Sequence, residues 1–387
     1  MASMLAPVPK PASRLARYRA LSPHASIHVS PLQLGGMSIG DKWEQFGLGS
    51  MTKESSFKLL DAFYEAGGNF IDTANNYQDQ TSEQFIGEWA ELRGIRDQLV
   101  IATKYSSNYM RGNDKVRQKV LYTGNSIKSM HVSLEASLKN LRTTYVDIFY
   151  LHWWDWETSI EEVMNGLHTL VQQGKVLYLG VSDTPAWIVS QANQYARDHG
   201  KTPFVIYQGL WNVMDRSIER EIVPMCKAHG MALAPWSVLA GGRLRSDEEE
   251  ERRAQSGDIG RSPPNFGYPE WRRNEKERIM STALARVARQ VGAKHVTAVA
   301  IAYVMQKAPY VFPIIGGRKV EQFEANVEAL EIVLSPEHIQ YLESILPFDP
   351  GFPVALFGDG SEYNFLWRSA AYMEKQPGLR AIVPDES

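Results

Sequence analysis

The 387-residue sequence contains a single cysteine, Cys226. One thiol can form neither an internal disulfide nor a thiolate metal cluster, and it suits a reducing compartment, so we expect a cytoplasmic protein. The net charge is only −3 with the basic residues scattered, which gives no basic face for nucleic acid. The sequence also lacks an apolar run of the roughly 20 residues that cross a bilayer, so no membrane partner is expected.

Metal-binding signatures are missing as well. The nine histidines form no H-E-x-x-H motif and no paired H-x-H at a strand end, so no metal site is predicted. The hydrophobic share of 44% and the charged share of 22% are those of a soluble globular protein. We expect one domain over residues 1–387: a loose proline-rich leader (1–27), the folded body (28–346) and an irregular tail (347–387).

Short apolar segments alternate with amphipathic helical segments along the body. This alternation indicates parallel βαβ units, and eight such units favour an α/β fold of the closed (β/α)8 TIM-barrel type. An open doubly wound sheet is the competing fold, but its G-x-G-x-x-G fingerprint after the first strand is absent. The predicted strands are 32–40, 68–72, 99–104, 146–152, 176–183, 204–208, 232–236 and 311–315.

A long insertion, residues 241–273, separates the seventh and eighth predicted strands. Its acidic run, residues 247–253, is most simply a solvated face, since charge runs usually are. The proline- and glycine-containing part, residues 262–269, is predicted to be a loop at the mouth of the barrel. The insertion is therefore treated as a long loop.

Four polar side chains stand at or just after consecutive strand ends: Asp72, Tyr77, Lys104 and His152. In a barrel such ends converge on the carboxyl face, where the chemistry is found. A nearby ammonium favours the phenolate and lowers the pKa of a tyrosine, so Lys104 would let Tyr77 exchange a proton with a carbonyl oxygen. Asp72 would hold the ammonium, and His152 would hydrogen-bond the substrate oxygen.

Each of these residues alone has a structural explanation, because buried Asp–Lys pairs and core histidines are common. Their joint placement on strands two, three and four favours catalysis. A barrel aldolase in which Lys104 forms an imine is an alternative reading. The later strand ends favour a large cofactor instead.

Hydrogen-bonding groups and a flat ring end strands five to seven, and a glycine pair with an arginine follows strand eight. Paired glycines, a helix N-terminus and an arginine fork suit a phosphate at the usual barrel position. Trp236 could stack on a ring. The residues concerned are Ser182, Asp183, Gln208, Trp236, Gly316, Gly317, Arg318, Gln322 and Asn326.

Together these residues resemble the aldo-keto reductase superfamily over about residues 28–346. Local runs such as 66–75, 174–187 and 234–239 resemble its aryl-alcohol dehydrogenase and norsolorinic acid reductase branch, with aryl-alcohol dehydrogenases closer. The resemblance implies that Tyr77 is the proton donor and acceptor, tuned by Lys104 and Asp72, with His152 orienting the carbonyl. Most of the superfamily has asparagine in place of Asp183 and tyrosine in place of Trp236, which leaves the carboxamide contact open.

The resemblance also implies a nicotinamide cofactor. Asp72, Ser182, Asp183 and Gln208 would lie at its carboxamide end, and Trp236 would stack under the ring. An arginine gains most from a dianionic phosphate, so Arg318, with Gln322 and Asn326, makes NADP the expected cofactor. The pyrophosphate would lie along Ser237, Leu239, Gly242 and Arg243.

Aromatic residues after strands one, three and four predict flat apolar substrate walls, although such residues also fill ordinary cores. The expected activity is reversible NADP-dependent interconversion of small aryl aldehydes and benzylic alcohols by a monomer or weak homo-oligomer. The alternatives are reduction of a norsolorinic acid-type polyketide ketone in secondary metabolism and a cofactor-binding regulatory barrel subunit. The predicted wall residues are Trp43, Tyr105, Trp153 and, on the far side, His152.

Overall fold

A computed structural model describes residues 6–257 and 271–385 of the chain. Eight parallel strands form one sheet in the order β10-β3-β4-β5-β6-β7-β8-β9. The sheet closes where the amide of Phe312, just before β10, donates to the carbonyl of Leu233 in β9 at 2.8 Å. The predicted barrel is therefore confirmed. Its strands are β3 Gln33–Gly35, β4 Phe70–Asp72, β5 Val100–Tyr105, β6 Val146–Leu151, β7 Val176–Ser182, β8 Phe204–Leu210, β9 Ala232–Trp236 and β10 Ile314–Ile315.

The expectation of a loose leader over residues 1–27 is wrong for its second half. Strands β1 (Arg19–Ser22) and β2 (Ala25–Val29) pair as an antiparallel hairpin. Leu21 and Val29 of the hairpin are fully buried and pack with lumen residues such as Phe70 and Phe312. The hairpin thus closes the amino-terminal end of the barrel, because apolar side chains there need a cover.

Helices pack around the sheet and form a second apolar layer with its outer face. Several begin at a Ser or Thr N-cap, as Thr52, Ser126 and Ser159 do for α1, α3 and α4. The helices are α1 Lys53–Glu65, α2 Thr81–Arg93, α3 Ile127–Asn140, α4 Ile160–Gln172, α5 Ala186–Asp198, α6 Ile222–His229, α7 Asp247–Ser256, α8 Glu275–Val291, α9 Val296–Lys307, α10 Val320–Val327, α11 Pro336–Ile345, α12 Val354–Phe357 and α13 Phe365–Arg368.

The acidic run is part of a helix, α7, and not of a loop. The hydroxyl of Ser246 accepts from the amide of Glu249 and caps its start. Glu250 is buried and contacts Arg245 and Arg273 at 2.8 Å each, so this residue is not part of a solvated face. The predicted loop at 262–269 lies outside the described residues.

The tail after residue 346 contains only the short helices α12 and α13 within its described part, and most of its side chains are exposed. Its last described residue, Asp385, pairs with Lys10 at 2.6 Å. In the two described ranges, no helix combines the length and apolar composition required to cross a membrane.

Candidate active site

A cavity of about 1780 Å³ opens at the carboxyl ends of the barrel strands. Strand ends form its floor, and the loops that follow the strands form its walls. The structure brings most of the predicted site residues to this one space. Those on the cavity wall are Trp43, Asp72, Tyr77, His152, Trp153, Asp183, Gln208, Trp236, Ser237, Leu239, Gly242, Gly316, Gly317, Arg318, Gln322 and Asn326.

The floor is a hydrogen-bonded cluster around Lys104. Its ammonium donates to Asp72 Oδ2 at 2.7 Å, to the carbonyl of Thr73 at 2.7 Å and to the hydroxyl of Tyr77 at 3.4 Å. Lys104 is fully buried beneath the cavity. The other oxygen of Asp72 accepts from the amide of Gln208 at 2.8 Å. The ends of β4, β5 and β8 therefore hold one phenolic hydroxyl against one fixed cation.

Burial, rather than the cation, dominates the acidity of the phenol. Loss of solvent raises the pKa of Tyr77, and Lys104 opposes this without cancelling it. Burial also lowers the pKa of Lys104, but Asp72 and Tyr77 outweigh it and the net pKa is raised. The expectation of a lowered phenol pKa is thus wrong for the net value, although Lys104 acts in the expected direction. At neutral pH Tyr77 carries its proton beside a charged ammonium.

His152 directly follows β6, and its ring lies 6.0 Å from that of Tyr77. Burial, aided by Lys104, lowers the pKa of His152 to about 3, so the imidazole is neutral. Ser107 Oγ lies 3.3 Å from His152 Nδ1 and accepts from the indole of Trp153 at 3.1 Å. Ser107 keeps its hydroxyl proton for Nδ1, and in that arrangement the proton of the neutral imidazole is on Nε2.

The opposite end of the cavity follows β10. Gln322 accepts from the amide of Arg318 at 2.8 Å, and Asn326 donates to the carbonyl of Gly316 at 3.3 Å. These bonds fix the turn that carries the arginine. A side chain at Gly316 would meet no atom within 4 Å, so the backbone here borders free space. The turn is shaped to let a ligand approach the main chain.

Residues 31–347 match the model of the Aldo/keto reductase family. The chain belongs to this family. It is 61% identical over 383 residues to the aryl-alcohol dehydrogenase [NADP(+)] of Phanerodontia chrysosporium, covering 98% of this chain and 99% of that protein. A putative aryl-alcohol dehydrogenase of Saccharomyces cerevisiae is 56% identical, with 93% and 94% of the chains covered. Norsolorinic acid reductase of Emericella nidulans is 46% identical, with 98% and 97% covered.

Asp183 lies on the cavity wall, directly after β7. Its backbone is left-handed, with φ of 43°, and its carboxylate accepts from the Trp236 indole at 3.2 Å and from the Ser182 hydroxyl at 3.1 Å. Burial raises its pKa to about 6. Ser182 is itself fully buried in β7, away from the cavity wall, so it holds Asp183 instead of facing the cavity.

Two further predicted site residues, Tyr105 and Arg243, are not among the residues that line the cavity. Tyr105 ends β5 directly after Lys104, and successive side chains on a strand point to opposite faces. Tyr105 is fully buried outside the lumen and stacks on Phe149 at 5.2 Å. Arg243 is buried and donates to the carbonyl of Arg272 at 2.7 Å, and it is not among the cavity-wall residues.

Sequence reasoning also missed residues on the wall. Arg245 and Arg253 lie there near Ser237 and Gly242, and Arg252 of α7 lies beside them. Ser107 supports both His152 and Trp153, as described above. A serine at this place carries no recognisable signal. The arginines of α7 could have been found from the Ser246-to-Glu249 capping pattern, which predicts a helix start.

Trp43 and Trp153 form aromatic parts of the wall near Tyr77. Trp43 is 6% exposed and its ring lies 6.1 Å from the Tyr77 ring at an angle of 72°. Other aromatic residues of the same loops lie elsewhere, since Tyr109 packs on Tyr122 and Trp156 is 66% exposed. Among the described residues no group of three or more His, Cys, Asp or Glu could hold a metal ion.

Proposed function

We propose that this aldo-keto reductase is an NADP-dependent oxidoreductase that interconverts aryl aldehydes and benzylic alcohols. The observation that carries the proposal is the 3.4 Å contact between the Lys104 ammonium and the Tyr77 hydroxyl at the cavity floor. A proton donor beside a fixed cation is what reduction of a carbonyl requires. The aryl-alcohol dehydrogenase relatives and the tryptophans beside Tyr77 support aryl substrates.

The residues present fit NADP. Open space over Gly316 and the cation of Arg318 suit the 2′-phosphate end. Arg245 and Arg253, which pair with Glu250 and Glu249, lie farther along the same wall. Trp236 offers a flat face on the cavity wall, next to the carboxylate of Asp183. When bound, the cofactor supplies or accepts the hydride. The protein residues supply the rest of the chemistry.

In reduction, the substrate carbonyl oxygen would lie between Tyr77 and His152. His152 Nε2–H donates a hydrogen bond to that oxygen, and the phenol of Tyr77 gives it the proton. Lys104 stabilises the phenolate that remains, while Asp72 keeps the ammonium in place at 2.7 Å. In alcohol oxidation the same phenolate takes the proton back.

The aldolase alternative is disfavoured by the state of Lys104. An imine-forming lysine must be a neutral amine that can reach the substrate carbon. Here the ammonium is fully buried, donates to Asp72 and to the Thr73 carbonyl, and has a raised pKa despite its burial. These contacts hold it charged and below the cavity floor.

Reduction of a polycyclic aryl ketone is the second candidate. Norsolorinic acid reductase is 46% identical across nearly all of both chains. Loss of NADPH absorbance with matched panels of benzaldehydes and aryl polyketide ketones distinguishes the two. A higher kcat/KM for the ketones would favour the second candidate.

The decisive experiment is Tyr77→Phe, which removes the hydroxyl and keeps the ring. We expect benzaldehyde reduction to fall by at least about a thousandfold, because general acid catalysis typically contributes that much. NADPH binding, followed by quenching of tryptophan fluorescence, should stay within about twofold of the unsubstituted protein. Turnover retained by this variant would overturn the proposal.

A further inference from the structure

The chain directly after Tyr77 has an uncommon backbone. Gln78, Asp79 and Gln80 are consecutive non-glycine residues with φ of 52°, 48° and 82°. Left-handed backbone costs about 1 kcal/mol or more for each such residue, and it persists only when surrounding contacts enforce it. The side-chain contacts of Gln78 and Asp79 show which neighbouring segments this strained turn binds.

Gln78 is fully buried, and its side chain bonds only to main-chain atoms of residues 37–49, here called the substrate loop. Its oxygen accepts from the amides of Lys42 and Trp43, both at 2.9 Å. Its amide nitrogen donates to the carbonyls of Met37 and Gly49, both at 2.9 Å. One side chain thus ties both ends and the middle of the substrate loop to the residue next to Tyr77.

Asp79 makes a second link. One carboxylate oxygen accepts from the indole of Trp43 at 3.1 Å and from the guanidinium of Arg111 at 2.8 Å. Arg111 in turn lies over the rings of Phe46 at 4.7 Å and Trp43 at 5.6 Å. Asp79 therefore joins the loop after β3 to the loop after β5.

These links fix an aromatic wall relative to the proton donor. Trp43, Phe46 and Arg111 line the cavity together with Tyr77. Neither the substrate loop nor residues 106–126 is a regular strand or a long helix, so the loops alone would not hold the wall at a set distance. The side chains of the two residues after Tyr77 do so.

We propose that Gln78 and Asp79 are positioning residues that hold the Trp43 wall against Tyr77 and thereby set a preference for aryl over alkyl carbonyls. This rests on the proposed function. A planar ring gains from stacking and burial on a rigid wall, whereas a short alkyl chain gains little. Loosening the wall should therefore weaken aryl binding selectively and leave the floor chemistry in place.

The test compares Asp79→Ala, Trp43→Phe and the double variant. Trp43→Phe removes the indole donor and keeps a ring, so it is the conservative partner. We expect Asp79→Ala to raise KM for benzaldehyde about tenfold, as loss of one or two net hydrogen bonds would give. For a short alkyl aldehyde, KM and kcat should stay within about twofold. The Kd of NADPH should also stay within about twofold. The double variant should cost less than the sum of the two single effects, because the residues share one bond.

Gln78→Glu tests the first link without a change of size. A carboxylate keeps the acceptor for Lys42 and Trp43 but has no donor for Met37 and Gly49, so hydrogen exchange of amides in the substrate loop should accelerate at least about tenfold. The matched control is Gln194→Glu, which alters a glutamine bonded to Asp198 on the exposed side of α5. Aryl and alkyl kinetics that change in parallel, or unchanged loop exchange, would overturn the inference. If the unsubstituted protein turns over no aryl carbonyl but Gln78→Glu still shows the accelerated exchange, the proposed function and the aryl preference are refuted. The role of Gln78 in holding the substrate loop would then still stand.

Discussion

The floor and the substrate wall of the cavity are held together in different ways. On the floor, strand residues form a buried pair, with Lys104 0% and Asp72 4% exposed at their side chains. On the wall, loop residues form the Arg111–Asp79 pair, whose side chains are 49% and 26% exposed. A buried pair is costly to break and a surface pair contributes little. The proposed chemistry would therefore depend on the rigid sheet, and the proposed choice of substrate on the loops.

The largest difference between floor and wall is expected from a substitution of Lys104. Lys104→Met should lower aldehyde reduction by about a thousandfold, because the phenolate loses its cation. It should also lower the free energy of unfolding by about 3 to 5 kcal/mol, since Asp72 is left as an uncompensated buried charge. Stopped-flow NADPH absorbance and urea denaturation measure the two effects.

The matched control is Lys53→Met. Lys53 is half exposed and pairs with Glu88 at 2.9 Å on the surface. Activity and stability should both change little. Equal losses in the two variants would mean that the floor is no more tightly built than the surface.

At the cofactor end, Arg318→Ala should raise the Kd of NADPH about a hundredfold and leave the Kd of NADH within about twofold, because only NADPH carries the 2′-phosphate that the guanidinium would bind. Isothermal titration calorimetry provides both constants. Arg289→Ala, on the exposed side of α8, is the control and should alter neither. A parallel loss for both nucleotides would place Arg318 elsewhere on the cofactor.

A smaller effect is expected at Asp183. A carboxylate beside the nicotinamide would favour its positively charged oxidised form, so Asp183→Asn should lower the ratio of NADP⁺ to NADPH affinity about fivefold at pH 8. The pKa of Asp183 is raised to about 6, so the carboxylate is charged above that pH and the difference should shrink at pH 5. Fluorescence titration with each nucleotide measures it. An unchanged ratio of affinities would show that the Asp183 carboxylate does not favour the oxidised nicotinamide.

Residues at strand ends could be located from the sequence for a physical reason. A barrel brings the carboxyl ends of its strands together, so Asp72, Lys104, His152 and Gln208 converge whatever their separation in the chain. Alternation along a strand also assigns direction, and it should have excluded Tyr105 once Lys104 was placed inward. That error came from reading the residue as part of a loop.

Other features had no local signal. Nothing in the residue types of Gln78 and Asp79 predicts left-handed backbone, which is enforced by bonds to residues about 30 to 40 positions earlier. Whether Arg243 faces the cavity depends on a turn with positive φ at Gly241 and Gly242. The hairpin of β1 and β2 was missed because its strands are short and its burial depends on lumen residues far along the chain.

That hairpin also bears on the order in which ligands bind and leave. The hairpin closes the amino-terminal end of the barrel, so in the described part of the chain the nucleotide and the aldehyde share one entrance at the carboxyl end. The ligand that binds deeper in the cavity must bind first and dissociate last. Steady-state kinetics should accordingly follow a compulsory order of binding and release.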